Sequence, residues 1–138
     1  MSCIFCKIIK GESHAYKVYE DDLTLSFLDI NPISHGHILV ITKRHEPRLE
    51  NLPREHSDAL FQTVRKLVGP IQKAAGAPSA NIGINNGREA GQIIQHIHVH
   101  IIPRDGSKPA WRKDLTRMPK SSGYFEDTAE KIRGIIGP

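Results

Sequence analysis

Three histidines alternate with β-branched residues in the stretch QHIHVHII. Side chains of a β-strand point alternately to the two faces of its sheet. His96, His98 and His100 are therefore predicted to share one face at intervals of about 6.6 Å, while the intervening residues face the opposite way. A neutral imidazole can attack phosphorus or carbon, abstract a proton or bind a metal ion, so this face is a candidate reaction centre.

The spacing of the three histidines favours nucleophilic use over the binding of one metal ion by all three. Ligands enclose an ion by converging to about 2.0–2.1 Å from one centre, whereas neighbours along a straight strand diverge. We therefore expect the central histidine, His98, to attack, with His96 and His100 orienting it and the substrate. The alternative is a strand whose polar, solvent-facing side happens to use histidine.

Hydropathy patterns predict the elements that position these histidines. Apolar residues from Arg54 to Ala75 recur at spacings of three and four, which predicts one long amphipathic helix with a kink at Pro70. Short connections favour antiparallel pairing and an α+β fold class. Strands are predicted at 15–20, 23–29, 37–42, 80–85 and 96–102, with a short helix or turn ending by residue 11 and a terminal helix at 126–136.

Length and composition limit the class of protein. The 138 residues are 38% hydrophobic, which predicts a single domain over residues 1–138. Apolar runs are far shorter than a membrane-spanning helix and no secretion signal is evident, so we expect a cytoplasmic protein without a membrane partner. The net charge of +4 favours anionic ligands. Basic residues are scattered rather than striped, so a nucleic-acid partner is not expected.

The stretch HIHVHII is identified as the motif of the histidine triad (HIT) superfamily of nucleotide hydrolases and transferases. Other segments resemble the family in the family's order: CIFCKII, YKVYEDD, FLDINP, GHILVI and GINNG. The resemblance covers about residues 3–104 and leaves a C-terminal extension, 105–138. It implies a five-stranded antiparallel sheet with one long helix and short N- and C-terminal helices. It also implies a homodimer, for which the long helix is the natural partner surface.

The resemblance implies a two-step reaction through a nucleotidyl-histidine. His98 would attack the α-phosphorus of a purine nucleoside phosphoramidate, and water would then release the nucleoside monophosphate. The carbonyl of His96 would orient His98. His100 and His37 would donate hydrogen bonds to the phosphate, and the carboxamide of Gln92 would contact the bridging atom. No catalytic metal ion is expected.

Family positions also imply a nucleoside pocket. Asp29 matches a carboxylate that accepts from both ribose hydroxyls, although an aspartate at this place is also a common turn former. Asn85 matches a ribose or phosphate contact, and its alternative is an ordinary turn asparagine. Apolar side chains, which elsewhere are generally core residues, match the positions that sandwich the base: Ile4, Phe5, Ile8, Phe27 and Ile30.

Cys3 and Cys6 form a C-x-x-C pair. In a chain without a secretion signal, metal binding or redox work is more common for such a pair than a structural disulfide. Some bacterial members of the family resemble this chain in combining such cysteines with the histidines at positions 45 and 96. His45 and His96 would thus complete a closed structural Zn²⁺ site, and two free thiols are the alternative.

Two positions bear on the choice among the family's activities. His100 is retained where the transferase branch uses glutamine, which favours hydrolysis over transfer. Ile93 stands where many members carry serine or threonine beside the phosphate. Two alternatives therefore remain: a dinucleoside polyphosphate hydrolase and a nucleotide-binding module with little turnover. The tail containing Trp111 is expected to border the active site of the neighbouring subunit.

Overall fold

The computed structural model describes residues 2–108 and 115–138. Its strands are β1 Lys17–Glu20, β2 Thr24–Leu28, β3 Ile38–Thr42, β4 Ser79–Gly83 and β5 His98–Arg104, and its α-helices are α1 Ile4–Ile9, α2 Arg54–Ala75 and α3 Ser122–Ile136. The strands form one antiparallel sheet in the order β1-β2-β3-β5-β4. This confirms the predicted α+β class with a five-stranded antiparallel sheet, one long helix and shorter terminal helices.

Strand β3 lies at the centre of the sheet and is buried on both faces, as predicted. Ile38 and Val40 pack into the larger apolar cluster, with residues of α2 and α3. Leu39 and Ile41 pack into a smaller cluster on the other face, with Phe5 of α1. The sheet therefore separates a wide core under the long helices from a small core under the N-terminal helix.

Strand β5 keeps the predicted alternation of apolar and histidine side chains. Val99 and Ile101 are fully buried in the larger cluster. His98 and His100 lie on the opposite face, with ring centroids 5.1 Å apart. The strand thus uses one face for the core and presents its two imidazoles on the face covered by α1.

His96 differs from the prediction because β5 begins at His98. His96 lies in the bend before the strand, where its backbone N–H donates to the carbonyl of Ile94 at 2.9 Å. The next amide, that of Ile97, donates to the carbonyl of Glu46 at 2.8 Å rather than to a neighbouring strand. The prediction that all three histidines share one strand was therefore wrong for the first of them.

Helix α2 has the predicted bounds and amphipathic character. Leu60, Leu67 and Ile71 are fully buried against the sheet. The helix is continuous across Pro70 and ends at Gly76, which has the positive φ of 64° that favours glycine. Pro70 therefore does not interrupt the helix, and the kink predicted there stays a prediction.

Other element boundaries move by a few residues. Helix α3 begins at Ser122, before the predicted residue 126, because the Oγ of Ser121 accepts from the amide of Tyr124 at 3.2 Å and caps the helix. Strand β4 ends at Gly83 rather than at residue 85.

Among the described residues, no helix is long and apolar enough to cross a membrane. The prediction about Trp111 lies outside the described residues.

Candidate functional site

His98 is oriented by the backbone immediately before its own strand. Its Nδ1 lies 2.8 Å from the carbonyl oxygen of His96. A carbonyl only accepts hydrogen bonds, so the proton of the neutral ring is on Nδ1 and the lone pair is on Nε2. Nε2 is therefore the ring nitrogen of His98 that has a lone pair to offer.

A chain of hydrogen bonds sets the tautomers of two more rings. The amide of Ile33 donates to Nδ1 of His37 at 3.0 Å, so the proton of neutral His37 is on Nε2. That Nε2–H donates to Nδ1 of His100 at 3.0 Å. His100 consequently carries its own proton on Nε2, where it is a hydrogen-bond donor. The family motif did not reveal that His37 acts on His100.

The rings of this site are kept neutral by their burial. Burial lowers the pKa of His100 to about 3 and that of His96 to about 4. The pKa of His98 is also lowered by burial, against the opposing effect of its bond to the His96 carbonyl. Burial and the neighbouring His100 hold the pKa of His37 well below its usual value. Near neutral pH the site therefore offers a lone pair and N–H donors rather than imidazolium charges.

The predicted base-binding residues divide into a buried group and an exposed group. Phe5, Ile8 and Phe27 lie in the smaller apolar cluster, where the ring of Phe5 is 5.2 Å from that of His98 in an edge arrangement. Ile4 and Ile30 are 44% and 61% exposed. The structure thus buries three of the five in one apolar cluster, with Phe5 next to His98, and leaves the other two side chains at the surface.

Both carboxylate oxygens of Asp29 have partners. Oδ1 accepts from the amide of Asn31 at 2.8 Å, which is the contact of an ordinary turn-forming aspartate. Oδ2 accepts from Nη1 of Arg117 at 3.1 Å and lies 3.5 Å from Nε2 of His37. Asp29 is thus a turn former and a neighbour of the histidines at once. Arg117 was not predicted, since no motif connects the tail with residue 29.

Gln92 is buried and hydrogen-bonded to the backbone around it. Its Oε1 accepts from the amide of Gly87 at 2.8 Å. Its Nε2 donates to the carbonyls of Pro47 and Ile94, at 2.8 and 3.0 Å. Both amide hydrogens are engaged, so Gln92 shapes the loop before β5 in this structure, and the predicted contact with a bridging atom would require one of these bonds to be exchanged.

The neighbours of Gln92 in the loop are more exposed. The Nδ2 of Asn85 donates to the carbonyl of Gly91 at 3.4 Å, which ties the two ends of the loop together. The side chain of Ile93 is 88% exposed and offers no hydrogen bond. Asn85 thus has a structural contact, and its predicted contact with a nucleotide stays a prediction.

Four metal-binding side chains converge beside this site. The Sγ atoms of Cys3 and Cys6 and the Nδ1 atoms of His45 and His96 all lie within 4.8 Å of one another. Nδ1 of His96 is 3.5 and 3.7 Å from the two sulfurs and 3.3 Å from Nδ1 of His45. The structure therefore brings together every residue of the predicted zinc set, which we call the two-cysteine, two-histidine cluster.

The geometry of this cluster fits a tetrahedral zinc ion. With Zn–S of about 2.3 Å and Zn–N of about 2.0–2.1 Å, neighbouring ligand atoms lie about 3.3–3.8 Å apart, as here. The Nε2–H of His96 donates to the carbonyl of Thr42 at 2.6 Å, which turns the Nδ1 lone pair toward the cluster. Burial and the adjacent Cys3 raise the pKa of the Cys6 thiol, and a cation would reverse that effect.

A second convergent group consists of Asp29, His37 and His100, whose donor atoms also lie within 4.8 Å of one another. Here the Nε2 of His37 carries a proton, because its Nδ1 accepts from a backbone amide. The two rings are consequently joined by a hydrogen bond. This group is arranged as a chain of donors and acceptors.

Comparison with known proteins gives consistent matches. A family model described as the HIT domain matches residues 10–107. The chain is 46% identical over 136 residues to adenosine 5'-monophosphoramidase hnt1 of Schizosaccharomyces pombe, covering 99% of both chains. It is 48% identical over 115 residues to adenylylsulfatase HINT3 of Arabidopsis thaliana, covering 83% of this chain and 58% of that protein. The chain thus spans less than two thirds of HINT3.

One solved structure resembles this protein over almost the whole length of both chains. The crystal structure of a Zn-bound histidine triad family protein from Mycobacterium smegmatis has a TM-score of 0.85 and 33% identity, covering 99% of this chain and 94% of that chain. The family-model match begins at residue 10, after Cys3 and Cys6. The cysteines are therefore outside the part that the family model describes.

We predict that the free energy of unfolding decreases as the pH falls below about 6.5. His100 has a pKa of about 3 in the folded chain and an ordinary value of 6.5 when unfolded, so the unfolded chain binds the proton first. The contribution of neutral His100 to the free energy of unfolding should be fully present well above pH 6.5. It should be lost progressively as the pH falls toward 3. Urea unfolding followed by circular dichroism should show a loss of more than about 1 kcal/mol between pH 7 and pH 5.

Variants separate this effect from general acid sensitivity. His100→Asn should give a shallower pH profile because one buried titrating group is removed. His14→Asn is the matched control, since the ring of His14 packs on Tyr16 and not on the triad. Equal slopes for wild type and His100→Asn would contradict the assignment.

Proposed function

Because the chain belongs to the HIT domain family, we propose that it hydrolyses nucleoside phosphoramidates at the α-phosphorus, through a nucleotide bound covalently to His98. The main support for this proposal is the tautomer of His98. Its Nδ1–H is held by the His96 carbonyl at 2.8 Å, and the Nε2 lone pair belongs to a ring that burial keeps neutral. A neutral, oriented imidazole is the form that attacks phosphorus.

The protein is a hydrolase. Its relative from Schizosaccharomyces pombe, matched over 99% of both chains, is named as an adenosine 5'-monophosphoramidase. The relative from Arabidopsis thaliana is named as an adenylylsulfatase. Both names refer to adenine nucleotides, which supports a purine nucleotide as the substrate.

The reaction proceeds in two displacements at phosphorus. In the first, the lone pair of His98 Nε2 forms a bond to the α-phosphorus, the bond from phosphorus to the amine nitrogen breaks, and the amine leaves after taking a proton from solvent. In the second, water attacks phosphorus and gives up a proton to solvent, and the bond from phosphorus to Nε2 breaks. The products are the nucleoside monophosphate and neutral His98. Two steps with a good leaving group replace one difficult hydrolysis.

His100 stabilises the charge that develops on phosphate. Its Nε2–H is the donor that the bond from His37 to Nδ1 sets up, and preorganised donors of this kind lower the barrier. His37 contributes as a positioning residue through His100, since both of its ring nitrogens are already bonded. Gln92 holds the loop before β5 and exchanges one of its backbone bonds when it contacts the bridging atom.

The nucleoside lies along the face under α1. Asp29 accepts from the ribose hydroxyls, and Asn85 contacts the ribose or phosphate. Phe5 and Phe27, 5.4 Å apart in an edge arrangement, form an apolar floor that supports a stacked base, together with Ile8. The exposed side chains of Ile4 and Ile30 close over the base and lose apolar surface to water on binding.

Ile93 supports a second candidate, a nucleotide-binding module with little turnover. Its exposed apolar side chain supplies no hydrogen bond at a position where many members of the family carry serine or threonine beside the phosphate. Hydrolysis of dinucleoside polyphosphates, by contrast, uses the same nucleophile and differs only in the leaving phosphate. These alternatives differ in rate and substrate, so turnover decides among them.

The two-cysteine, two-histidine cluster holds a structural Zn²⁺. The donor separations and the lone pair of His96 support this assignment, as does the Zn-bound relative from Mycobacterium smegmatis. When bound, the ion links α1 to the start of β5 and leaves no open position for substrate. Zinc thiolates also fit a cytoplasmic location, where thiols stay reduced.

A homodimer completes the proposal. On α2, the predicted partner surface, the ring of Phe61 is 46% exposed. Strand β4 lies at an edge of the sheet and carries Ile82, which is 50% exposed. Burial of these apolar side chains against a second copy would stabilise a two-fold dimer.

Replacing His98 with alanine is expected to reduce AMP release from an adenosine phosphoramidate on the order of 10³-fold or more, because the nucleophile is lost. AMP binding should change little. Parallel assays with diadenosine tetraphosphate rank the two substrates. His14→Ala is the control and should keep full activity. Turnover by His98→Ala within tenfold of wild type would contradict the mechanism, and no turnover by wild type would favour the binding module.

Metal analysis of protein purified without added zinc is expected to find about one zinc ion per chain. Cys3→Ser and Cys6→Ser should lose the ion, and turnover should also fall because the residue that orients His98 is a zinc ligand. His14→Ala should keep its zinc. A zinc content well below one per chain in the wild type would refute the site.

Light scattering at micromolar concentration is expected to give the mass of two 15.4 kDa chains. Phe61→Glu should shift the equilibrium toward monomer, because it places a charge in an apolar interface. Gln62→Glu, the same change of charge at the next exposed position of α2, is the control. A monomeric wild type would argue against the dimer.

A further inference from the structure

The proposed site has to bind an anion with neutral rings. Burial lowers the pKa of His100 to about 3 and that of His37 well below its usual value, so these two rings are neutral and supply no positive charge. The phosphate of a nucleotide keeps its negative charge at neutral pH. Charge-assisted hydrogen bonds are about twice as strong as neutral ones, so a cation close to the triad would add most to binding.

Arg117 brings such a cation to the site from the segment before α3. Its Nη1 is 3.1 Å from Oδ2 of Asp29 and 2.7 Å from the carbonyl oxygen of Asn31. The same Oδ2 lies 3.5 Å from Nε2 of His37, which in turn is 3.0 Å from Nδ1 of His100. The guanidinium is therefore next to the chain of side chains that ends at the proposed phosphate donor.

We propose that Arg117 binds the phosphate of the nucleotide and is a specificity-determining residue for phosphorylated over unphosphorylated nucleosides. The proposal rests on the proposed function, because it takes the nucleotide site to lie at His98, His100 and Asp29. It adds a residue from the C-terminal extension, beyond the segment that resembles the family.

The contacts of Arg117 suit this role. Within the part of the chain that the structure describes, both of its hydrogen bonds use Nη1, so the donors on Nε and Nη2 face no described acceptor. Its side chain is 44% exposed and has room to turn. A guanidinium presents paired donors that match two phosphate oxygens. Asp29 is then the resting partner of the guanidinium before a nucleotide arrives.

Binding of a nucleotide exchanges the partners of this ion pair. The ribose hydroxyls donate to Asp29, and the guanidinium, still held by the carbonyl of Asn31, pairs with the phosphate. A second cation near His37 is Arg104, whose charge also lowers the pKa of His37. Its Nε donates to Oδ1 of Asn81 on the edge strand β4, and its Nη1 and Nη2 are buried with no hydrogen-bond partner among the described residues, whereas the side chain of Arg117 is 44% exposed.

Calorimetric binding of AMP and adenosine, two ligands that differ only in the phosphate, tests the proposal. Arg117→Ala should weaken AMP binding about tenfold or more, whereas adenosine should bind as before or more tightly because Asp29 loses a competitor. Arg117→Lys, which keeps the charge without the paired donors, should lie between. Higher salt should weaken AMP binding by wild type more than by Arg117→Ala.

Arg54→Ala is the matched control, since it removes one positive charge from a side chain that is 93% exposed on α2. It should leave both affinities unchanged. Tighter binding of both ligands by Arg117→Ala would overturn the proposal and make Arg117 only a competitor for Asp29. Equal weakening of both would overturn it and reduce Arg117 to a support for Asp29.

The same experiment separates this proposal from the proposed function. If wild type binds AMP and Arg117→Ala binds it equally well, the role of Arg117 is overturned and the nucleotide site stands. If wild type binds neither AMP nor adenosine, the nucleotide site itself is overturned, and the role of Arg117 with it. Thermal unfolding of each variant shows whether the fold is kept.

Discussion

The 2.8 Å hydrogen bond from Nδ1 of His98 to the carbonyl of His96 decides which nitrogen of the central histidine carries a lone pair. The backbone and the side chain of His96 are both held in ways that favour this bond. His96 precedes β5 instead of lying in it, so its carbonyl is available to a side chain rather than to a neighbouring strand. The ring of His96 is itself held by the carbonyl of Thr42 and faces the two cysteines.

His96 therefore connects two sites through different atoms. Its side chain belongs to the two-cysteine, two-histidine cluster, and its backbone oxygen orients the proposed nucleophile. A zinc ion at the cluster would fix this residue and, through it, the tautomer of His98, without touching a substrate. A structural metal can influence catalysis in this way by limiting the motion of one peptide unit.

Burial gives the site its chemical character. Phe5 covers the rings of His96 and His98, and removal of water lowers the pKa of each. Neutral rings are good nucleophiles and donors, but they leave the charge of a phosphate uncompensated. Arg117 and Asp29, which form an ion pair at the edge of the site, provide a charge that a bound nucleotide can recruit.

Much of this arrangement was predictable from local patterns. The alternation around His98 predicted a strand with one apolar and one chemical face, and the resemblance to some bacterial members of the family predicted that the cysteines meet His45 and His96. The motif did not predict that β5 starts only at His98, because the amide of Ile97 pairs with Glu46, which is distant in sequence. The role of His37 and the contact of Arg117 with Asp29 also depend on residues far apart in the chain.

The proposed mechanism is tested most directly by the covalent intermediate on His98. Protein mixed with an excess of adenosine phosphoramidate and quenched within the first turnovers, in alkali to protect the phosphorus–nitrogen bond, is digested and examined by mass spectrometry. The proposed mechanism predicts one adenylyl group, assigned to His98 by fragmentation of the peptide that contains both His98 and His100. Rapid AMP release without such an adduct, or an adduct on His100 instead, would contradict it.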